Sequence, residues 1–210
     1  MPDDDSDSNV IRHTLNIKML DRIAVTISVL FSPFLLPIAS ILLIVWLSVA
    51  TMQQGLLWMV IVILFASVLP MLFILILFRR GQLSDLRLTV REQRAKPLMF
   101  SLVSALVGSG VLHIVNAPRE IIWLCIACVI NGIVLTLITQ VWKISFHSGV
   151  AAGCMTGLAT LISSQLVCLF ILLPFIAWAR VRRNRHTYLQ TIIAAPIAVA
   201  STAVVLQLAL

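Results

Sequence analysis

The chain has 210 residues, of which 60% are hydrophobic and 11% charged, with a mean hydropathy of +1.08. That balance excludes an ordinary soluble globular domain, and the polar stretches are too short to build one beside the apolar segments. The net charge of +7 does not point to nucleic acid either, because the basic residues sit in short loops between apolar spans, where they act first as orientation signals.

An all-α, polytopic transmembrane bundle of six or seven spans is therefore expected, since lipid leaves backbone polar groups no partner but each other. Residues 1–22 form a polar tail or an interfacial helix, with Val10, Ile11, Leu15 and Met19 near helical spacing and Arg12, Lys18 and Arg22 between them. Acidic residues Asp3, Asp4, Asp5 and Asp7 stand where a cleaved signal would be basic, so the first helix is expected to stay in place. Residues 23–210 form one membrane domain.

The first span runs from Ile23 to Val49 and can bend at Pro33 and Pro37; the second runs from Leu56 to Phe78. A polar loop from Arg79 to Pro97 follows. Leu98–Val115 and Ile121–Val141 then form a hairpin that turns at Asn116–Arg119. Gly149–Ile162 and Gln165–Trp178 are each about 14 residues, short for a bilayer core of roughly 30 Å. One straight helix through both would overshoot the bilayer, so a hairpin at Ser163-Ser164 is predicted. Leu189–Leu210 is the last of seven crossings.

Trp46, Trp58, Trp123, Trp142 and Trp178 fall near the ends of these spans, where indole rings favour the headgroup region. Fourteen of the fifteen Lys and Arg residues lie on one deduced face and only Arg119 on the other, which assigns the basic face to the cytoplasm. Gly149, Gly153 and Gly157 recur every four residues and make a smooth stripe for close helix packing. Cys125, Cys128, Cys154 and Cys168 all lie in apolar spans and are expected to pack as small hydrophobes. His113 is the one ionisable residue inside a span, near its far end.

The basic face gathers three clusters: Arg87 with Arg94, Lys143-Ile-Ser-Phe-His147, and Arg180 with His186. Arginine forks bind phosphate oxygens bidentately, and fixed cations stabilise the equatorial charge of a phosphoryl group in transfer. One histidine could attack while another protonates the leaving oxygen. Arg182, Arg183 and Arg185 are assigned to orientation charge.

These spacings resemble the type 2 phosphatidic acid phosphatase and haloperoxidase superfamily, in its membrane lipid phosphatase branch, with motifs K-x6-R-P, P-S-G-H and S-R-x5-H-x3-D. Arg180, five residues and His186 match the third motif, Ser145-Phe-His147 the second, and Arg87, six residues and Arg94 the first. The resemblance covers roughly Arg87 to Gln190, within a phosphatase-like core of about residues 79–210. It implies His186 as nucleophile forming a phosphohistidine and His147 as general acid. Arg87, Arg94, Lys143, Ser145 and Arg180 would hold the phosphate, with no metal or other cofactor.

Arg87 stands for the family's lysine, Ala95 for a proline, and Ile144 and Phe146 for the proline and glycine around the serine. Gln190 occupies the place of an aspartate that orients the nucleophilic histidine; its carbonyl can fix a tautomer without stabilising positive charge. No Asp or Glu follows Glu120, so a carboxylate assisting His186 would have to be Asp85 or Glu92. The implied enzyme hydrolyses a phosphatidate-like or polyprenyl phosphate or diphosphate within the lipid bilayer. The alternatives are a non-catalytic relative that binds anionic lipid headgroups, and a small transporter using His113.

Overall fold

A chain with no water to bond its backbone closes its hydrogen bonds within helices, and among the described residues there are no strands. The computed structural model describes residues 4–48, 51–86, 90 and 93–208, with side chains from residue 16 onward. Helix α1 (Asp4–Leu30) runs unbroken through the polar N-terminal segment into the first apolar span and is followed by α2 (Leu35–Ser48). Helix α3 (Met52–Ile63) passes through a π-helical turn (Leu64–Val68) into α4 (Leu69–Arg79). Then come α5 (Ala95–Ile114), α6 (Arg119–Val141) and α7 (Phe146–Leu161). A 3-10 helix (Ser164–Leu172) leads into α8 (Leu173–Arg182), and α9 (Tyr188–Ile192) and α10 (Ala194–Gln207) complete the chain.

Five helical stretches are long and apolar enough to cross a membrane, and α1 with α2, bent by 53°, make a sixth if counted as one broken span. This is compatible with an integral membrane protein. The count falls below the seven predicted crossings because α7, at 16 residues, is the short one. It is wrapped by protein: residues 148–158 are almost all buried, and α2, α6, α8 and α10 pack around it. The hairpin after α7 forms where predicted, with Ser163 capping the 3-10 helix through its side chain.

The glycine stripe explains that burial. A methyl group on Gly149 would stand 2.7 Å from Leu135 Cδ1, and one on Gly153 would run into the Asn131 amide and meet Thr202 Oγ1 at 3.0 Å. Helices α6 and α10 therefore approach α7 closer than any side chain would allow. Three reversals share one closing device, a residue of positive φ just past a helix end: Gly81 (φ 70°), Asn116 (54°) and Asn184 (52°). At Asn184 the Arg185 amide reaches back to the Arg180 carbonyl at 3.1 Å, the Schellman pattern. Trp58, in the second turn of α3, is buried in a cluster with Ile41, Ile44 and Leu112.

Candidate functional site

The sequence clusters converge on one cavity of about 580 Å³, lined at its polar end by Arg94, Lys143, His147, Arg180 and His186. Each comes from a different stretch. Arg94 precedes the first turn of α5, Lys143 lies in the α6–α7 loop, and His147 stands in the first turn of α7. Arg180 lies in the last turn of α8, and His186 just before α9. The two loops are tied directly, the Ser145 amide donating to the Gln190 carbonyl at 3.2 Å.

Arg180 is the most confined cation, only 9% exposed, and its Nε–H is buried without a hydrogen-bond partner. No carboxylate pairs with it among the described residues; Asp21, which lies on α1, pairs with Arg182 instead. A buried, uncompensated guanidinium costs several kcal/mol of desolvation, and this one borders the cavity.

His186 is held by a local motif. Thr187 caps α9 and Gln190 closes a capping box with it. Gln190 Oε1 accepts the Thr187 amide at 3.1 Å and contacts His186 Nδ1 at 3.2 Å. Since a backbone amide can only donate, the Gln190 atom facing it is the oxygen, and His186 Nδ1 must carry the hydrogen. The lone pair is thus on Nε2. Burial, then the charges of Arg180 and Lys143, push the His186 imidazolium down to about pKa 4, against a smaller upward pull from Gln190. The ring is neutral at physiological pH.

His147 contacts the Ser28 carbonyl through Nε2 at 3.2 Å. Neither histidine bonds a carboxylate among the described residues. The serine of the second cluster has a structural place: Ser145 is fully buried, caps α7 by accepting the Ser148 amide at 3.4 Å, and does not line the cavity. Its predicted role as a phosphate ligand is not what this arrangement offers. Phe146, by contrast, borders the cavity. Arg87 and Glu92 lie outside the described residues.

Two assignments of the basic loop change. Arg183 and Arg185, taken from sequence as orientation charge, line the cavity with Asn184. Arg182 alone of the three turns away, its Nε donating to Asp21 Oδ1 at 2.8 Å and its guanidinium lying 6.0 Å from the Trp178 ring centre. Thr187 and Ser28 were missed. The T-x-x-Q spacing of Thr187 and Gln190 was a legible capping signal, whereas nothing local marks the carbonyl of Ser28.

Away from the cations the same cavity becomes apolar. Its α5 wall runs from Arg94 through Leu98, Leu102 and Ala105 to Leu112, roughly 27 Å at 1.5 Å per residue. Ile41, Val62, Phe65 and Val129 close it from α2, α3, the π turn and α6. A second cavity of about 530 Å³, bordered by His113, Arg119 and Trp123, opens at the other end of the α5–α6 hairpin. Comparison with protein-family models, curated proteins and solved structures gives no match.

Proposed function

We propose that this chain is a metal-independent lipid phosphatase of the type 2 phosphatidic acid phosphatase and haloperoxidase superfamily. Its substrate is a phosphatidate-like or polyprenyl phosphate or diphosphate. The observation that carries this reading is Arg180, a buried cation with an unpartnered Nε–H at a cavity shared with Arg94, Lys143, Arg183 and Arg185. An anion of more than one charge is the natural complement, and a phosphoryl group accepts several forked donors at once. The apolar continuation of the cavity supports a substrate with a hydrocarbon chain.

In this reading Nε2 of His186 attacks phosphorus, the bond from phosphorus to the lipid oxygen breaks, and His147 supplies the proton that oxygen takes. Water then attacks the phosphohistidine, gives its proton to His147, and releases inorganic phosphate with His186 restored. The cations hold the equatorial oxygens throughout. The basic face is placed in the cytoplasm by the positive-inside rule.

Phosphate release from a panel of lipid phosphates with EDTA present tests the proposal. Wild-type activity that disappears in His186→Ala, with an acid-labile phosphoenzyme in the wild type alone, is the expected result. Undiminished activity in His186→Ala would end the nucleophile assignment. The non-catalytic reading draws on the neutral Gln190 beside His186; it requires that Arg180→Ala weaken binding of anionic lipid while His186→Ala leaves it intact and no phosphate is released.

A further inference from the structure

The first crossing lies outside the phosphatase-like core, yet one of its backbone atoms bonds a histidine of the site. The carbonyl of Ser28 meets His147 Nε2 at 3.2 Å. In an uninterrupted helix that carbonyl would accept the amide of Ser32. Here the Ser32 amide bonds Val29 O at 3.1 Å instead, and Pro33, the next residue along, has no N–H to offer. The break between α1 and α2 thus frees a carbonyl in a buried position.

A related device occurs in α3 to α4. In the π turn the Leu69 amide bonds Leu64 O, just before Pro70, and the released Phe65 carbonyl accepts Ser104 Oγ–H from α5 at 2.6 Å. A freed carbonyl inside the bundle needs a donor from another helix. For Ser28 the donor is an imidazole. The middle of α1 is tied to α8 by Arg182, which bonds Asp21 Oδ1 at 2.8 Å and the Ile17 carbonyl at 3.3 Å.

We infer that the broken turn of the first crossing is a positioning device for His147: the Ser28 carbonyl holds the ring as its Nε2–H tautomer and leaves Nδ1 to exchange protons with whatever occupies the cavity. A carbonyl can only accept, so Nε2 carries the hydrogen. His186 is held the opposite way, with its hydrogen on Nδ1 facing Gln190. The two histidines are therefore fixed in opposite tautomers, each by an uncharged acceptor where a carboxylate is the usual partner. The kinetic consequence rests on the phosphatase reading. Burial, then Arg180, His186 and Arg183, keep the ring neutral before substrate binds. A bound phosphate dianion offsets the arginines' charge so that Nδ1 takes one proton from solvent, that proton goes to the leaving lipid oxygen, and Nδ1 recovers one from the attacking water. The tautomers themselves do not depend on that reading.

The test is nitrogen NMR of the full chain in lipid nanodiscs with 15N-labelled histidine, the His147 and His186 signals assigned by their loss in the alanine variants. At neutral pH His147 should show a protonated Nε2 and a bare Nδ1, and His186 the reverse. Pro33→Ala restores an amide and lets the helix run on, so the His147 signals should become those of mixed tautomers while His186 stays unchanged. Moving the proline back one residue, in Ser32→Pro with Pro33→Ala, removes the competing amide and should restore the wild-type signature. If the phosphatase reading holds, Pro33→Ala lowers kcat by about tenfold with little change in KM, in the range of lost partners to an orienting histidine, and the double variant recovers it. A wild-type His147 protonated on Nδ1 overturns the inference even if neither variant folds, and so does a His147 signal that Pro33→Ala leaves unmoved. Correct tautomers without phosphate release would instead count against the phosphatase reading alone.

Discussion

The two cavities differ by little in volume, about 580 against 530 Å³, and each sets an arginine beside a histidine. What separates them is how those side chains are held. At the motif end Arg180 is buried, and both imidazoles bond acceptors fixed by backbone geometry. At the far end His113 and Arg119 are exposed, and among the described residues no side-chain hydrogen bond fixes either. Preorganisation, rather than space or composition, distinguishes a place where charge can be stabilised during a reaction from one where a cation is merely solvated.

The sharpest way to break that contrast is to remove the proposed nucleophile. His186→Ala should cost on the order of 10⁴-fold in phosphate release, the scale of losing an essential member of a catalytic set. Arg180→Met, which keeps an unbranched apolar stem, should cost about 10² to 10³-fold in kcat/KM. Thermal stability without lipid should nevertheless hold or rise, since an uncompensated buried charge has gone. A fall in both quantities would mean that Arg180 serves the fold and not a ligand.

The acid limb of kcat/KM, which reports the free protein, should lie near pH 4 instead of near 6.5, because His186 stays neutral down to about 4. The sign for stability follows. As pH falls from 6.5 to about 4 the unfolded chain takes up a proton that the folded ring declines, so stability drops through that window and is unaffected by this group above it. Gln190→Glu keeps the capping box and supplies a charge, and should move the limb upward by about 1–2 pH units. An unmoved limb would detach His186 from the observed profile. Least affected should be His113→Ala and Arg119→Ala, within about twofold of wild type, in line with substitutions away from buried networks; a larger loss would erase the difference between the two ends.

Much of this was legible along the chain. Apolar runs and polar loops marked most helices, though not the joining of the polar N-terminal segment to the first span in α1; the bend at Pro33 fell inside its predicted span, and the glycine repeat on α7 announced close packing. Arg94, Lys143, His147, Arg180 and His186 could be gathered on one face from the parity of the crossings. Less could be said of side-chain direction. Arg182, Arg183 and Arg185 are alike in sequence, yet the turn at Asn184 sends two toward the cavity and leaves one with Asp21. Ser145 carried the pattern of a ligand and became a helix cap, because an N-terminal amide of α7 needed an acceptor.

Sequence by itself determined the all-helical class, since 60% apolar composition in hydrophobic runs of helix-spanning length favours backbones that satisfy themselves within helices. It also determined which basic and imidazole groups were available. Tertiary structure alone decided which of them face one another and which nitrogen of each histidine holds its hydrogen. Those outcomes hang on backbone atoms, the Ser28 carbonyl and the Thr187 amide, whose partners are chosen by where helices break and pack and not by the side chain written at their positions.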